Sequence, residues 1–139
     1  MEITNLELIV KALSVLAPRR IGDYLIGDVS CALLTEDDSV FLGVCVDVIS
    51  GIGFCAEHAA IAAMVTAGKH RIKKIVAVWK NENNEVYLLT PCGRCREFIN
   101  QIHPENLNTE VVVDTDQVIL LFELLPYRGW KKEIILAER

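Results

Sequence analysis

The chain has 139 residues, 52% of them hydrophobic and 24% charged, with a formal net charge of -5. That balance suits one domain of ordinary size with a sizeable core, residues 1–139 throughout, and it excludes a disordered chain. It also argues against an extended nucleic-acid footprint, which needs a basic stripe, and no apolar run is long enough to make a membrane span.

Read in chain order, Thr4 or Asn5 caps a helix running to about Ala17, with Leu6, Ile9, Val10, Leu13 and Leu16 at helical spacing and Pro18 as its stop. Val29–Leu34 and Val40–Val46 are β-rich runs around the turn-like segment 35–39, which predicts a hairpin. Residues 56–67 are Ala-rich and lead to Gly68, a candidate residue just past a helix end. Ile72–Trp79 is an apolar strand, Val86–Leu89 a short one, and Gly93–Gln101 a short helix. Thr109–Val113 and Val118–Leu121 are two late strands, followed by a partly helical tail from Phe122. The order fits an α/β fold with a mixed sheet and helices on both faces. Ile75–Val78 and Val111–Val113 are continuous apolar runs, as in strands covered on both sides.

The basic run Lys69-His70-Arg71 with Lys73-Lys74 reads as a solvated turn after a helix. The start, Met-Glu-Ile-Thr-Asn, has no basic n-region or apolar h-region, so a cytoplasmic location without a signal peptide is expected. Five cysteines, an odd number, then point to metal binding or free thiols and away from a disulfide framework.

Three of those cysteines have a spacing with chemical content. Cys55 is followed two residues on by Glu57, and Cys92 and Cys95 form a Pro-Cys-x-x-Cys run. A His or Cys, a Glu two residues later and a distant Pro-Cys-x-x-Cys is the pattern of the zinc deaminases. Cys55 falls where the Ala-rich helix begins, and Cys92 and Cys95 share one face of the next helix start. Unpaired N–H groups and the positive dipole end there lower thiol pKa and favour thiolates. Three protein ligands leave a fourth zinc position for water, as in catalytic sites. Glu57 then serves as a proton shuttle. A structural zinc would need a fourth ligand from Cys31, Cys45, His58, His70 or His103, and a Cys92–Cys95 redox pair would need no metal.

The chain resembles the cytidine deaminase superfamily, with the blasticidin S deaminase branch nearest. The resemblance rests on Cys55-Ala56-Glu57-His58, the run Ile75 to Asn83, Thr90-Pro91-Cys92-Gly93-Arg94-Cys95-Arg96-Glu97, His103-Pro104 and Glu123 to Pro126, with a weaker match at Ser30 to Leu33. It implies a three-layer α/β/α sandwich with a mixed, about five-stranded sheet. It implies one Zn2+ per chain on Cys55, Cys92 and Cys95, with Glu57 catalytic, and a homotetramer. In the family the aromatic tail can help close a neighbour's site, which makes Tyr127 and Trp130 candidates here. The implied activity is hydrolytic deamination of an aminopyrimidine nucleoside or related aminocytosine compound, by attack of zinc-activated hydroxide and release of ammonia. The alternatives are the same chemistry on blasticidin S or a purine, and a silent zinc-stabilised binding module.

The substrate grip departs from the cytidine pattern. Cytidine deaminases carry Asn-x-Glu after the second strand, where this chain reads Cys45-Val46-Asp47. They carry Ser-x-Phe before the first strand, where Leu25 and Gly27 stand here. Asp28, Cys45 and Asp47 are therefore the candidates for contacting the substrate, through hydroxyls or a cationic group, and plain cytidine is not the expected best substrate.

Overall fold

In the computed structural model, which describes residues 2–137, the chain forms a sheet with helices on both faces. The first helix, α1 (Asn5–Leu13), starts in a capping box. Thr4 Oγ1 accepts from the Glu7 N–H at 3.1 Å, and the Glu7 carboxylate accepts from the Thr4 N–H at 3.4 Å. The helix ends four residues before Ala17, because Ser14 turns its hydroxyl onto the Lys11 carbonyl and residues 15 and 16 tighten into three-residue turns. Its packed face matches the expected one only in part, at Ile9 and at Leu16 just past the helix end. Leu8, Ile9 and Ala12 are buried, whereas Leu6, Val10 and Leu13 are exposed.

A small hairpin that the sequence reading did not foresee follows, β1 (Arg19–Ile21) and β2 (Tyr24–Ile26), around Gly22 and Asp23. Then come β3 (Val29–Thr35), β4 (Val40–Val44), α2 (Ala56–Thr66), β5 (Ile72–Lys80), β6 (Val86–Leu89), α3 (Gly93–Ile102), β7 (Glu110–Asp114) and β8 (Gln117–Leu120). A 3-10 turn at Pro104–Asn108 precedes β7, and another at Leu121–Leu124 follows β8. Beyond that turn, residues 125–137 form no helix or strand, so the partly helical tail is limited to one 3-10 turn.

Among the described residues the main sheet has six strands, not about five, in the order β4-β3-β5-β7-β8 with β6 also on β5. The extra strand fits because β5 is nine residues long and shares one edge between two partners. Lys74 and Ile75 pair in parallel with β7, and Ala77 to Lys80 pair antiparallel with β6. The fold is the expected three-layer sandwich. On one face, Cys31, Leu33 and Ile75 pack against Ala60, Ile61 and Met64 of α2 and Ile99 of α3. On the other, Ala32, Leu34, Val76 and Val78 pack against Leu8, Ile9 and Ala12 of α1. The alternation along β3 sends successive side chains to opposite layers.

Two glycines shape the layer that carries the site. A Cβ at Gly43 of β4 would stand 2.4 Å from the Ala60 backbone nitrogen, so only glycine lets α2 lie this close to the sheet. Gly68, at φ +81, closes α2 as foreseen. The Lys69 N–H donates to the Met64 carbonyl and the Gly68 N–H to the Val65 carbonyl, the double bond of a Schellman end.

Candidate active site

Strand β4 stops at Val44, and the chain crosses to α2 through a loop pinned by paired backbone bonds between Val46 and Phe54 at 3.0 Å. This delivers Cys55 to the N-cap position of α2. Cys92 takes the N-cap position of α3, and Cys95 lies one turn inside it. An N-cap side chain ordinarily accepts from the helix backbone, which is why Ser, Thr, Asp and Asn prevail there. Neither cysteine makes a full capping bond, although the Arg94 and Cys95 N–H groups act on the Cys92 sulfur. Their sulfurs turn instead toward each other and Cys95, and all three Sγ atoms lie within 4.8 Å of one another.

Glu57, in the first turn of α2, is 6% exposed and faces the same cavity of about 190 Å³ as the three thiols. Burial raises its carboxyl pKa, while its own backbone N–H and the Cys95 thiol pull it back. Burial likewise raises Cys55 and Cys95, with the Glu57 charge adding to the rise at Cys95. Only Cys92, the exposed one, is lowered, first by the Cys95 backbone N–H and then by that of Arg94. The expectation that both helix starts depress their thiols is thus met at Cys92 alone. At Cys55 and Cys95, desolvation outweighs the dipole.

Zinc suits this donor set. A tetrahedral ion with Zn–S bonds of about 2.3 Å separates its sulfurs by roughly 3.8 Å, within reach of this cluster. Among the described residues no basic side chain lines the cavity, so a divalent cation is what would offset three converging thiolates. No fourth ligand joins them. Among the described residues, the metal-competent side-chain groups are Cys55–Cys92–Cys95 and Asp28–Cys45–Asp47, and neither includes a histidine. Cys31 is fully buried in the core, its thiol raised first by burial and then by the Glu57 charge.

The second group forms the other wall. Cys45 and Asp47 line the cavity, and Asp28 stands behind them. The Cys45 thiol donates to Asp28 Oδ1 at 3.1 Å, and its sulfur lies 3.6 Å from Asp47 Oδ2. Trp79 Nε1 donates to Asp28 Oδ2 at 3.2 Å. Burial, with Asp28 adding to it, pushes Cys45 up to about 12, so it stays a neutral thiol. A thiol already committed to Asp28 makes a hydrogen-bonded wall rather than a metal site. Trp79 stands behind this wall through its bond to Asp28, outside the cavity lining, and its signals in the sequence were its place at the end of the apolar strand and within the matching run Ile75 to Asn83. Val29, Leu89 and Thr90 are in the lining and were missed, since nothing in the sequence gave them a site role.

Tyr127 and Trp130 are not brought to the cavity of their own chain. Both lie on the extended tail, almost wholly exposed.

A family model described as the zinc-binding region of cytidine and deoxycytidylate deaminases matches residues 4–111. The chain is 30% identical over 132 residues, 92% of its length, to a cytidine deaminase of Mycoplasma genitalium, covering 97% of that protein. The cytidine deaminase structure from Mycobacterium tuberculosis superposes with a TM-score of 0.75 at 24% identity, over 92% of this chain and 98% of that one, a likeness of fold. The cytidine deaminase structure from Burkholderia pseudomallei gives 0.70 at 26% identity, over 90% and 98%.

Proposed function

The chain belongs to the cytidine and deoxycytidylate deaminase family, a family of zinc-dependent hydrolases, and we propose that it hydrolyses the exocyclic amine of cytidine or a closely related aminopyrimidine nucleoside. The observation that carries this reading is the convergence of three sulfurs and one buried carboxyl on a single cavity. Cys55, Cys92 and Cys95 would hold the zinc. Its chemistry there is that of a Lewis acid that brings the pKa of a water toward neutrality.

The chain's own residues do the rest. Glu57 takes one proton from the attacking water and gives it to the ring nitrogen, then takes the second proton from that oxygen once it is bound to the ring carbon and gives it to the departing amine, so that the carbonyl forms and ammonia leaves. A carboxyl with its pKa raised by burial is suited to this two-way traffic near neutral pH. Val29 and Leu89 offer apolar surface to a flat ring. Asp47 and Cys45 face the remainder of the substrate, with Asp28 and Trp79 holding Cys45 in place. The acidic lining favours a small nucleoside over a polynucleotide strand. In a homotetramer in the cytoplasm, Tyr127 and Trp130 on the exposed tail would close the site of a neighbouring copy.

Cys45 where the cytidine enzymes have Asn supports a second reading, the same reaction on another amino-heterocycle. One experiment tests both. Ammonia release is followed over cytidine, deoxycytidine, blasticidin S and purine nucleosides, for the parent chain and for Glu57→Gln. The expected result is turnover of at least one pyrimidine compound, and its fall by about 10²- to 10⁴-fold in Glu57→Gln with zinc still bound. Full turnover in Glu57→Gln removes the shuttle. One zinc per chain with no turnover on any compound would favour a binding module.

A further inference from the structure

Arg96 stands next to Cys95 and one helical turn beyond Cys92, and the deaminase chemistry does not use it. Its Nε donates to the Pro91 carbonyl at 2.7 Å, and its Nη1 donates to the Leu124 carbonyl at 3.0 Å. Pro91 is buried, so its carbonyl needs a partner from within the protein. Among the described residues Arg96 makes no ion pair, so these two carbonyls are what its side chain serves.

The far end of this bridge is fixed to the sheet. Leu121 is fully buried, and its N–H donates to the Thr109 carbonyl at 2.9 Å. Thr109 Oγ1 in turn donates to the Ile72 carbonyl in β5 at 2.7 Å. The near end is the turn that enters α3, where Cys92 is exposed. An exposed ligand on a turn has little packing to hold it, and a planar guanidinium spans two separated carbonyls with fixed donors that a compact ammonium does not match.

We infer that Arg96 is a positioning residue for the metal centre. It clamps the Pro91–Cys92 turn to the Leu121–Leu124 turn and so keeps the Cys92 sulfur within reach of Cys55 and Cys95. The inference rests on the ligand set proposed above.

The test uses the full chain with zinc and with cobalt(II), comparing Arg96→Gln and Arg96→Lys with the parent. Zinc affinity is read by chelator competition, thiolate ligation by the sulfur-to-cobalt charge-transfer band, and the fold by thermal melting of the metal-free protein. Arg96→Gln should weaken zinc about 10- to 100-fold and dim the band, with metal-free melting close to the parent's. Arg96→Lys, which can reach one carbonyl at a time, should fall between. Affinity within threefold of the parent in Arg96→Gln overturns the clamp alone. Loss of metal that merely tracks loss of the metal-free fold in both variants overturns it as well. A parent protein with no thiolate band refutes the ligand set, and the clamp with it.

Discussion

The two walls of the cavity are built on opposite plans. The sulfur wall comes from two helix N-termini, with Cys55, Cys92 and Cys95 set by local backbone at the first turns of α2 and α3. The other wall comes from residues distant in sequence. Asp28 precedes β3, Cys45 and Asp47 follow β4, and Trp79 lies near the end of β5, joined by hydrogen bonds that span 17 and 51 residues. Helix ends are stiff and repeatable, which suits ligands that must stay converged on one ion. Strand-end loops tolerate substitution, which suits recognition. The difference teaches that the two walls are drawn from separate parts of the sequence and can be altered independently.

Stripping the metal should have the largest effect, because it acts on the sulfur wall as a whole. Exhaustive chelation is expected to abolish turnover and lower the melting temperature, and zinc addition to restore both. Melting unchanged by chelation would mean that the three thiols do not tie α2 to α3 through a metal.

Changes to the other wall should alter selection and leave the metal alone. Asp47→Asn is expected to change kcat/KM about 10- to 100-fold and to reorder the substrate panel, with one zinc per chain retained. If zinc content falls along with kcat/KM, the two walls are not separable. Trp79→Phe removes the indole donor to Asp28 and leaves the ring, so the effect should be smaller, about 1 kcal/mol in transition-state stabilisation. It should move the same substrates as Asp47→Asn, and steady-state kinetics on the panel checks this.

The smallest contrast is chemical reactivity. With Cys45 held up to about 12, its thiolate fraction at pH 8 is about 10⁻⁴, whereas Cys92 is lowered and exposed. Brief treatment of the metal-free protein with iodoacetamide, read by peptide mass mapping, should label Cys92 well before Cys45.

The two spare cysteines show where sequence reading stops. Cys31 and Cys45 were alike on the page, both in β-rich runs of a hairpin. The register of β3 turns Cys31 into the α2 layer, fully buried. Cys45 falls one residue past the end of β4, where the strand releases it to the cavity. A strand run can be seen in a sequence, but its last paired residue depends on partners elsewhere in the chain. The partly misread face of α1 has the same origin. Leu6, Val10 and Leu13 have helical spacing, yet the sheet meets Leu8, Ile9 and Ala12. The hairpin of β1 and β2 went unseen because two three-residue strands carry almost no periodicity.

The sequence by itself determined the helix starts, the apolar strands and the constellation of Cys55, Glu57, Cys92 and Cys95. These are set by local rules: residues three or four apart share a helix face, and a Pro-Cys turn opens a helix. Only the tertiary structure decided which thiols burial raises, that Trp79 holds Asp28 against Cys45, and that Arg96 ties the Pro91–Cys92 turn to the turn after β8. Desolvation and long-range hydrogen bonds depend on how the layers close over one another, and no window of sequence contains that information.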